Sequence, residues 1–83
     1  MTEYKYYAII NKKTKKLLTG TNFNKDGTPI QLYADEYRVP LLLAEGEVKF
    51  QVARRKIDLN EFEIVRARVI IWKDEEKENE ISV

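Results

Sequence analysis

The sequence has no cysteine and no histidine among its 83 residues. Without cysteine it can form neither a disulfide nor a thiolate metal site, and small secreted domains usually need such staples. Without histidine it lacks the side chain that most often carries protons at neutral pH and ligates transition metals. We therefore expect a cytoplasmic protein with no cofactor and no metal site.

Catalytic groups of other kinds are also scarce. The sole serine, Ser82, lies in an acidic stretch, and the chain has no imidazole to activate it. Adjacent carboxylates such as Asp35 and Glu36 point apart on a helix or a strand, and no calcium-loop spacing or phosphate-cradling glycine motif accompanies them. The sequence predicts that the protein is not an enzyme.

Long apolar runs are missing as well. No stretch approaches the roughly 18 apolar residues that cross a bilayer. Residues 1–5 lack the apolar segment of a signal peptide. We expect no membrane partner.

Charge is abundant, with 35% charged residues beside 43% hydrophobic ones, enough of the latter for one modest core. Residues 1–73 carry 14 Lys/Arg against 9 Asp/Glu, whereas residues 74–83 carry one lysine against five acids. The basic part favours an anionic partner. We expect one globular α+β domain over residues 1–73 and a disordered acidic tail over residues 74–83.

Two β-type segments come first. Residues 4–10 are rich in aromatic and β-branched residues, and residues 15–20 follow a polar break, which together predict a β-hairpin. The connection contains no glycine, so we expect Lys13 or Lys15 to adopt a positive φ. A polar loop then leads to a short strand at residues 30–33.

Residues 41–57 are compatible with a helix or a strand. Helical spacing gives two apolar stripes: Leu43, Phe50, Ala53 and Ile57 in one, and Leu41, Ala44, Val48 and Val52 in the other. Residues 47–52 also alternate strictly between polar and apolar, which is typical of a half-buried strand. We favour a helix because the run is long and basic residues follow it. A strand is the alternative.

Residues 62–72 form the clearest strand, and we expect one of its faces to pack on the core: Val65, Ala67, Val69 and Ile71. The predicted fold is α+β, a small antiparallel or mixed sheet in the order β-β-(β)-α-β with one helix packed on it. If residues 47–53 are a strand instead, the fold becomes a nearly all-β curved sheet or barrel.

The candidate interaction surface combines clustered basic residues with the single tryptophan. Its members are Lys12, Lys13, Lys15, Lys16, Arg54, Arg55, Lys56, Arg66, Arg68 and Trp72. Lysines near tyrosines suit a phosphate backbone with stacked bases, and arginines suit phosphates or carboxylates. The simpler interpretation is a solubilising turn and a solvated sheet face. For Trp72 we expect burial at the strand end, with an exposed contact residue as the alternative.

Two segments resemble the short accessory proteins encoded by bacteriophages and prophages of Gram-positive bacteria. They are residues 6–14, YYAIINKKT, and residues 54–65, RRKIDLNEFEIV. The resemblance lies in small size, lysine and isoleucine bias and lack of cysteine. It implies a stoichiometric binder of host or phage machinery, including anti-CRISPR and other anti-defence inhibitors, and assigns no functional residue.

Three functions are consistent with these observations. The leading hypothesis is a non-enzymatic protein-interaction module that occupies a surface of a larger protein, one that handles nucleic acid. The second is direct nucleic-acid binding through residues 12–16 and 54–56. The third is a structural or assembly subunit of a phage particle, for which an unpaired sheet edge would favour oligomerisation.

Overall fold

The computed structural model describes residues 2–73, and within that range it is an α+β domain. The predicted acidic tail at residues 74–83 lies outside the described residues. The elements, in chain order, are β1 (Thr2–Asn11), β2 (Leu18–Phe23), β3 (Pro29–Tyr33), a 3₁₀ turn (Glu45–Glu47) that leads directly into α1 (Val48–Arg54), and β4 (Phe62–Ile71). The predicted α+β class is confirmed, and the described residues form no closed barrel.

The four strands form two antiparallel pairs. β1 pairs with β4 over their whole length, from Thr2 opposite Ile71 to Asn11 opposite Phe62. β2 pairs with β3, with a bulge between Leu18 and Gly20. The predicted hairpin between residues 4–10 and 15–20 is therefore wrong, because β1 takes the distant β4 as its ladder partner. Only an isolated bridge joins the first two segments.

β1 also has neighbours on its other side. The Tyr7 N–H donates to the Leu43 carbonyl and the Leu43 N–H donates to the Tyr7 carbonyl, both at 2.8 Å. Ile10 forms the isolated bridge to Leu17. The second half of β1 is thus the central strand of the domain, with β4 on one side and two chain segments on the other.

The turn after β1 is organised by Asn11. Its side-chain carbonyl accepts the N–H groups of Lys13 at 2.9 Å and Thr14 at 3.0 Å, and its backbone carbonyl accepts that of Lys15 at 2.8 Å. This is how asparagine stabilises a turn that has no glycine. Lys15 has a φ of 62°, which confirms the expectation that Lys13 or Lys15 takes a positive φ.

The core is small, and all four strands and α1 contribute to it or pack beside it. Its buried residues are Ile9, Leu18, Leu43, Ile57 and Phe62. Ile9 and Leu18 are fully buried. The core therefore joins the β1–β4 pair to the β2–β3 pair, which share few other contacts.

The predicted helix is confirmed for Val48–Arg54, and the strand alternative for residues 47–52 is wrong. Residues 41–44 lie outside the helix, and Leu43 pairs with β1 instead. Val48 and Val52 pack against the core, whereas Phe50, on the other stripe, is 64% exposed.

The predicted core face of β4 is wrong. Ile64 lies opposite Ile9 in the register, so these two side chains share a face, and both contact the core. Val65, Ala67 and Val69 point to the other side and are only half-buried. The reason is that the other core residues cover the face of β4 that carries Ile64, over the first half of the strand.

We predict that Lys15→Gly stabilises the domain by about 0.5 kcal/mol. A positive φ costs an ordinary L-residue about 1–2 kcal/mol, and glycine avoids this cost. Glycine also makes the unfolded chain more flexible, which lowers the free energy of unfolding by about 0.5–1 kcal/mol and so offsets part of the gain. Urea unfolding measures the change. Lys13→Gly, in the same turn but without a positive φ, is the control and should destabilise. Equal effects of the two changes would contradict this account of the turn.

Candidate interaction surface

The most exposed large apolar side chains lie in the segment between β3 and the helix. Tyr37 is 87% exposed and Val39 is 80% exposed. The backbone of the segment is nevertheless hydrogen-bonded to β2. The Thr19 hydroxyl donates to the Val39 carbonyl, and the Leu41 N–H donates to the Leu18 carbonyl at 2.9 Å. These bonds hold an apolar segment at the surface.

An apolar groove lies between this segment and the outward face of the β1–β4 pair. The side chains that line it include Ala8, Val39, Leu42, Val65, Ala67 and Val69. Ala8 lies opposite Val65 in the register, so strand pairing forms the floor, while Val39 and Leu42 form a wall. Arg66 and Arg68 border the groove along β4. The groove is open to solvent and can take an apolar side chain.

Asp35 shapes the loop that carries Tyr37. One oxygen of its carboxylate accepts the N–H groups of Tyr37 at 2.8 Å and Arg38 at 2.9 Å. The hydrogen bond from the Tyr37 N–H, followed by the bond from the Arg38 N–H and the charge of Arg38, lowers the pKa of Asp35 although partial desolvation opposes this. The loop conformation is thus coupled to an ionised carboxylate.

The predicted basic turn, residues 12–16, is exposed. The Lys12 ammonium donates to the Leu59 carbonyl at 2.9 Å, which ties the turn to the segment before β4. Lys13, Lys15 and Lys16 make no side-chain hydrogen bond or ion pair with other residues in the range 2–73. Three ammonium groups are therefore presented to solvent.

The basic residues after the helix are partly engaged in holding the fold. The Arg55 side chain donates to the Gln51 side-chain carbonyl at 3.0 Å, and its backbone carbonyl accepts from the Gln31 amide at 2.9 Å. Burial, and then repulsion by Arg54, lower the pKa of Arg55. These contacts fasten the end of the helix to β3.

Lys56 has a structural position of its own. Its φ is 51°, and its ammonium donates to the Gly27 carbonyl at 2.8 Å. The same ammonium lies 5.9 Å from the centre of the Phe23 ring, within the range of a cation–π interaction. Lys56 thus clamps the tip of the β2–β3 hairpin, which makes it a weaker candidate for contact with a partner.

Arg66 and Arg68 do come together, on the face of β4 opposite to Val65 and Ala67. They line one shallow depression with Lys5 and Tyr7. Arg68 makes an exposed ion pair with Glu3, 3.7 Å between the charged atoms. Trp72 follows the end of β4 and is 63% exposed, so the expectation that it is buried is wrong.

The predicted basic residues therefore do not form one patch through direct contacts. Within residues 2–73, no hydrogen bond or ion pair joins the turn at 12–16, the helix end at 54–56 and the pair on β4. Sequence reasoning missed the apolar groove. The signal is present as the apolar run at residues 39–43, but the helix predicted for residues 41–57 takes up Leu41 and Leu43, which hides an exposed wall.

No helix within residues 2–73 is long and apolar enough to span a lipid bilayer. In the same part of the chain, no group of three or more acidic side chains is placed to hold a metal ion.

Comparison with known proteins yields no relatives: no family model, curated protein or solved structure matches this chain.

We predict that Asp35 titrates below the ordinary aspartate pKa of 3.8. Because its folded pKa is depressed, its contribution to the loop is present at higher pH and is lost as the pH falls through the folded pKa. Carboxyl carbon NMR shifts measured against pH test this. In the control Arg38→Gln the backbone bonds persist, so most of the shift should remain. An unshifted Asp35 would contradict the loop geometry.

Proposed function

We propose that the protein is a non-enzymatic protein-interaction module and that the apolar groove, with Val39 on its wall, is its contact site. The observation that carries the proposal is the exposure of Val39 and Tyr37 on a segment whose backbone is hydrogen-bonded in place. A fixed apolar wall beside an open groove is the arrangement of a preformed contact site.

The energetics support a partner for this surface. Burial of apolar surface contributes about 25 cal/mol per Å². Val65 and Val69 are half-buried, and Val39 is largely exposed to water. An apolar side chain of a partner in the groove would therefore remove water from these three valines. Exposed Trp72 supplies a further aromatic anchor of the type that dominates protein interfaces.

The resemblance to phage accessory proteins supports a narrower form of the same proposal. In that form the partner is a host or phage protein that handles nucleic acid, and the domain inhibits or modulates it by covering part of its surface. The support for this form is the small size, the lysine and isoleucine bias and the lack of cysteine, while the groove supplies the surface that would contact the partner.

We predict that Val39→Asp weakens capture of the partner. Immobilised full-length protein and the variant are mixed with lysate of the source organism, and any protein retained by the first alone is identified, purified and titrated. Placing a carboxylate in the groove should weaken the dissociation constant by about tenfold or more, as expected for loss of an apolar anchor.

The matched control is Leu59→Asp, which makes the same chemical change at a residue that is 54% exposed and outside the groove. It should bind as the unaltered protein does. Equal loss in both variants, or no partner dependent on Val39, would reject the groove as the contact site.

A second candidate function rests on the three solvent-exposed lysines of the 12–16 turn, which suit binding to a nucleic-acid backbone. Its signature is an affinity that falls with salt, with a log–log slope of about −2 to −3 for three neutralised phosphates. Lys13→Glu with Lys16→Glu should flatten the slope, and Lys49→Glu on the helix should not. No binding to single- or double-stranded nucleic acid at low salt would remove this candidate.

A further inference from the structure

Among residues 2–73, β4 is an edge strand, and the hydrogen-bond pattern of these residues shows which of its backbone groups have no partner there. Within residues 2–73 its only ladder partner is β1. The Lys12 N–H donates to the Glu61 carbonyl at 2.9 Å, which sets the phase of the antiparallel ladder. Hydrogen-bonded pairs then recur at every second residue. Odd-numbered residues of β4 thus bond to β1, and even-numbered ones direct their N–H and C=O groups outward.

The pairing of Tyr7 supports this phase independently. Tyr7 lies opposite Arg66 and should turn its own backbone groups away from β4, and it does, because they bond to Leu43. In the described part of the chain, the free edge of β4 therefore presents the backbone donors and acceptors of four residues: Ile64, Arg66, Arg68 and Ile70.

The two faces of this edge differ in chemistry. Arg66 and Arg68 project on one face, where Lys5 lies opposite Arg68 on β1 and Glu3 forms the exposed ion pair with Arg68, so that Arg66 makes no ion pair within residues 2–73. Val65, Ala67 and Val69 project on the other, into the apolar groove. A strand that pairs with the edge would meet arginines at every second position and the apolar groove at the positions between.

This pattern disfavours a second copy of the same strand. Antiparallel pairing of two β4 strands around a twofold axis places Arg66 opposite Arg66 when it is centred there. When it is centred on Ala67, it places Arg66 opposite Arg68. These are the registers that align most of the strand, and like charges directly opposite each other are destabilising. An acidic residue at those positions is favourable instead.

We infer that β4 binds its partner by strand addition, and that the partner supplies an extended segment in which acidic residues alternate with apolar ones. The acidic side chains lie opposite Arg66 and Arg68, and the apolar side chains enter the groove beside Val39. Main-chain hydrogen bonds supply affinity in this mode and the alternating side chains supply specificity. The inference rests on the proposed interaction function and adds the binding mode and the partner's chemistry.

Amide hydrogen exchange, followed by NMR on the full chain, tests the inference directly. In the free protein the Ala67 amide should exchange slowly, because it bonds to β1, and the Arg66 and Arg68 amides should exchange fast. The probe is a capped synthetic peptide of about eight residues, an ordinary strand length, that alternates glutamate and valine. At about ten times its dissociation constant it should slow exchange of both arginine amides about tenfold.

Charge reversal provides the matched controls. A peptide alternating lysine and valine should leave the arginine amides of the unaltered protein fast. The double variant Arg66→Glu/Arg68→Glu should no longer bind the glutamate peptide and should bind the lysine peptide instead. A misfolded variant would not gain binding of the lysine peptide. Arg54→Glu, the same charge change at the helix end, should keep the original preference.

Several outcomes would overturn the inference. Slow exchange of Arg66 and Arg68 in the free protein at low concentration means that residues of its own chain already occupy the edge. Protection that rises with protein concentration, together with a doubled mass, means a second copy. Equal binding of the two peptides, or no effect at millimolar peptide, rejects the stated chemistry. If capture of a partner depends on Val39 but the peptide has no effect, strand addition is rejected and the proposed function is kept.

Discussion

The two-sided pairing of β1 is the constraint on which the domain depends. Its ladder with β4 spans the whole strand, and on its other side Tyr7 exchanges two hydrogen bonds with Leu43. A two-stranded pair is marginal in water by itself, so burial of the strand in a core is needed to hold it. Fully buried Ile9, on β1, supplies that link, since it packs with Leu18 of the other strand pair. The turn after β1, the helix and the segment that contains Leu43 are all positioned by their contacts with β1 or with the core around it.

A core of this size leaves apolar surface uncovered. Small domains bury only about 60% of the surface that their unfolded chain exposes. Here the helix and the β2–β3 pair cover the face of β4 that carries Phe62 and Ile64, and the face that carries Val65 and Val69 is closed only in part. Among residues 2–73, the groove and the free edge of β4 are therefore two consequences of one arrangement.

The basic residues divide by the work they do in the fold. Lys56 clamps a hairpin tip and Arg55 fastens the helix to β3, so their charges are partly committed to structure. Arg66 and Arg68 instead line one exposed depression on the same face of β4. Net charge alone would have treated all four as equivalent, although their contacts differ.

Local signals in the sequence were enough for the α+β class, the helix near Val48–Arg54, the long strand that ends near Ile71 and a positive φ at either Lys13 or Lys15, because each rests on periodicity or turn chemistry among near neighbours. Strand partners and the buried face of β4 were not accessible in the same way. Residues 62–71 alternate with apolar side chains on both faces, so the pattern predicts a strand without saying which side is covered. That choice followed from long-range pairing: once β1 joined β4, the core filled one side and left the groove and an open edge on the other.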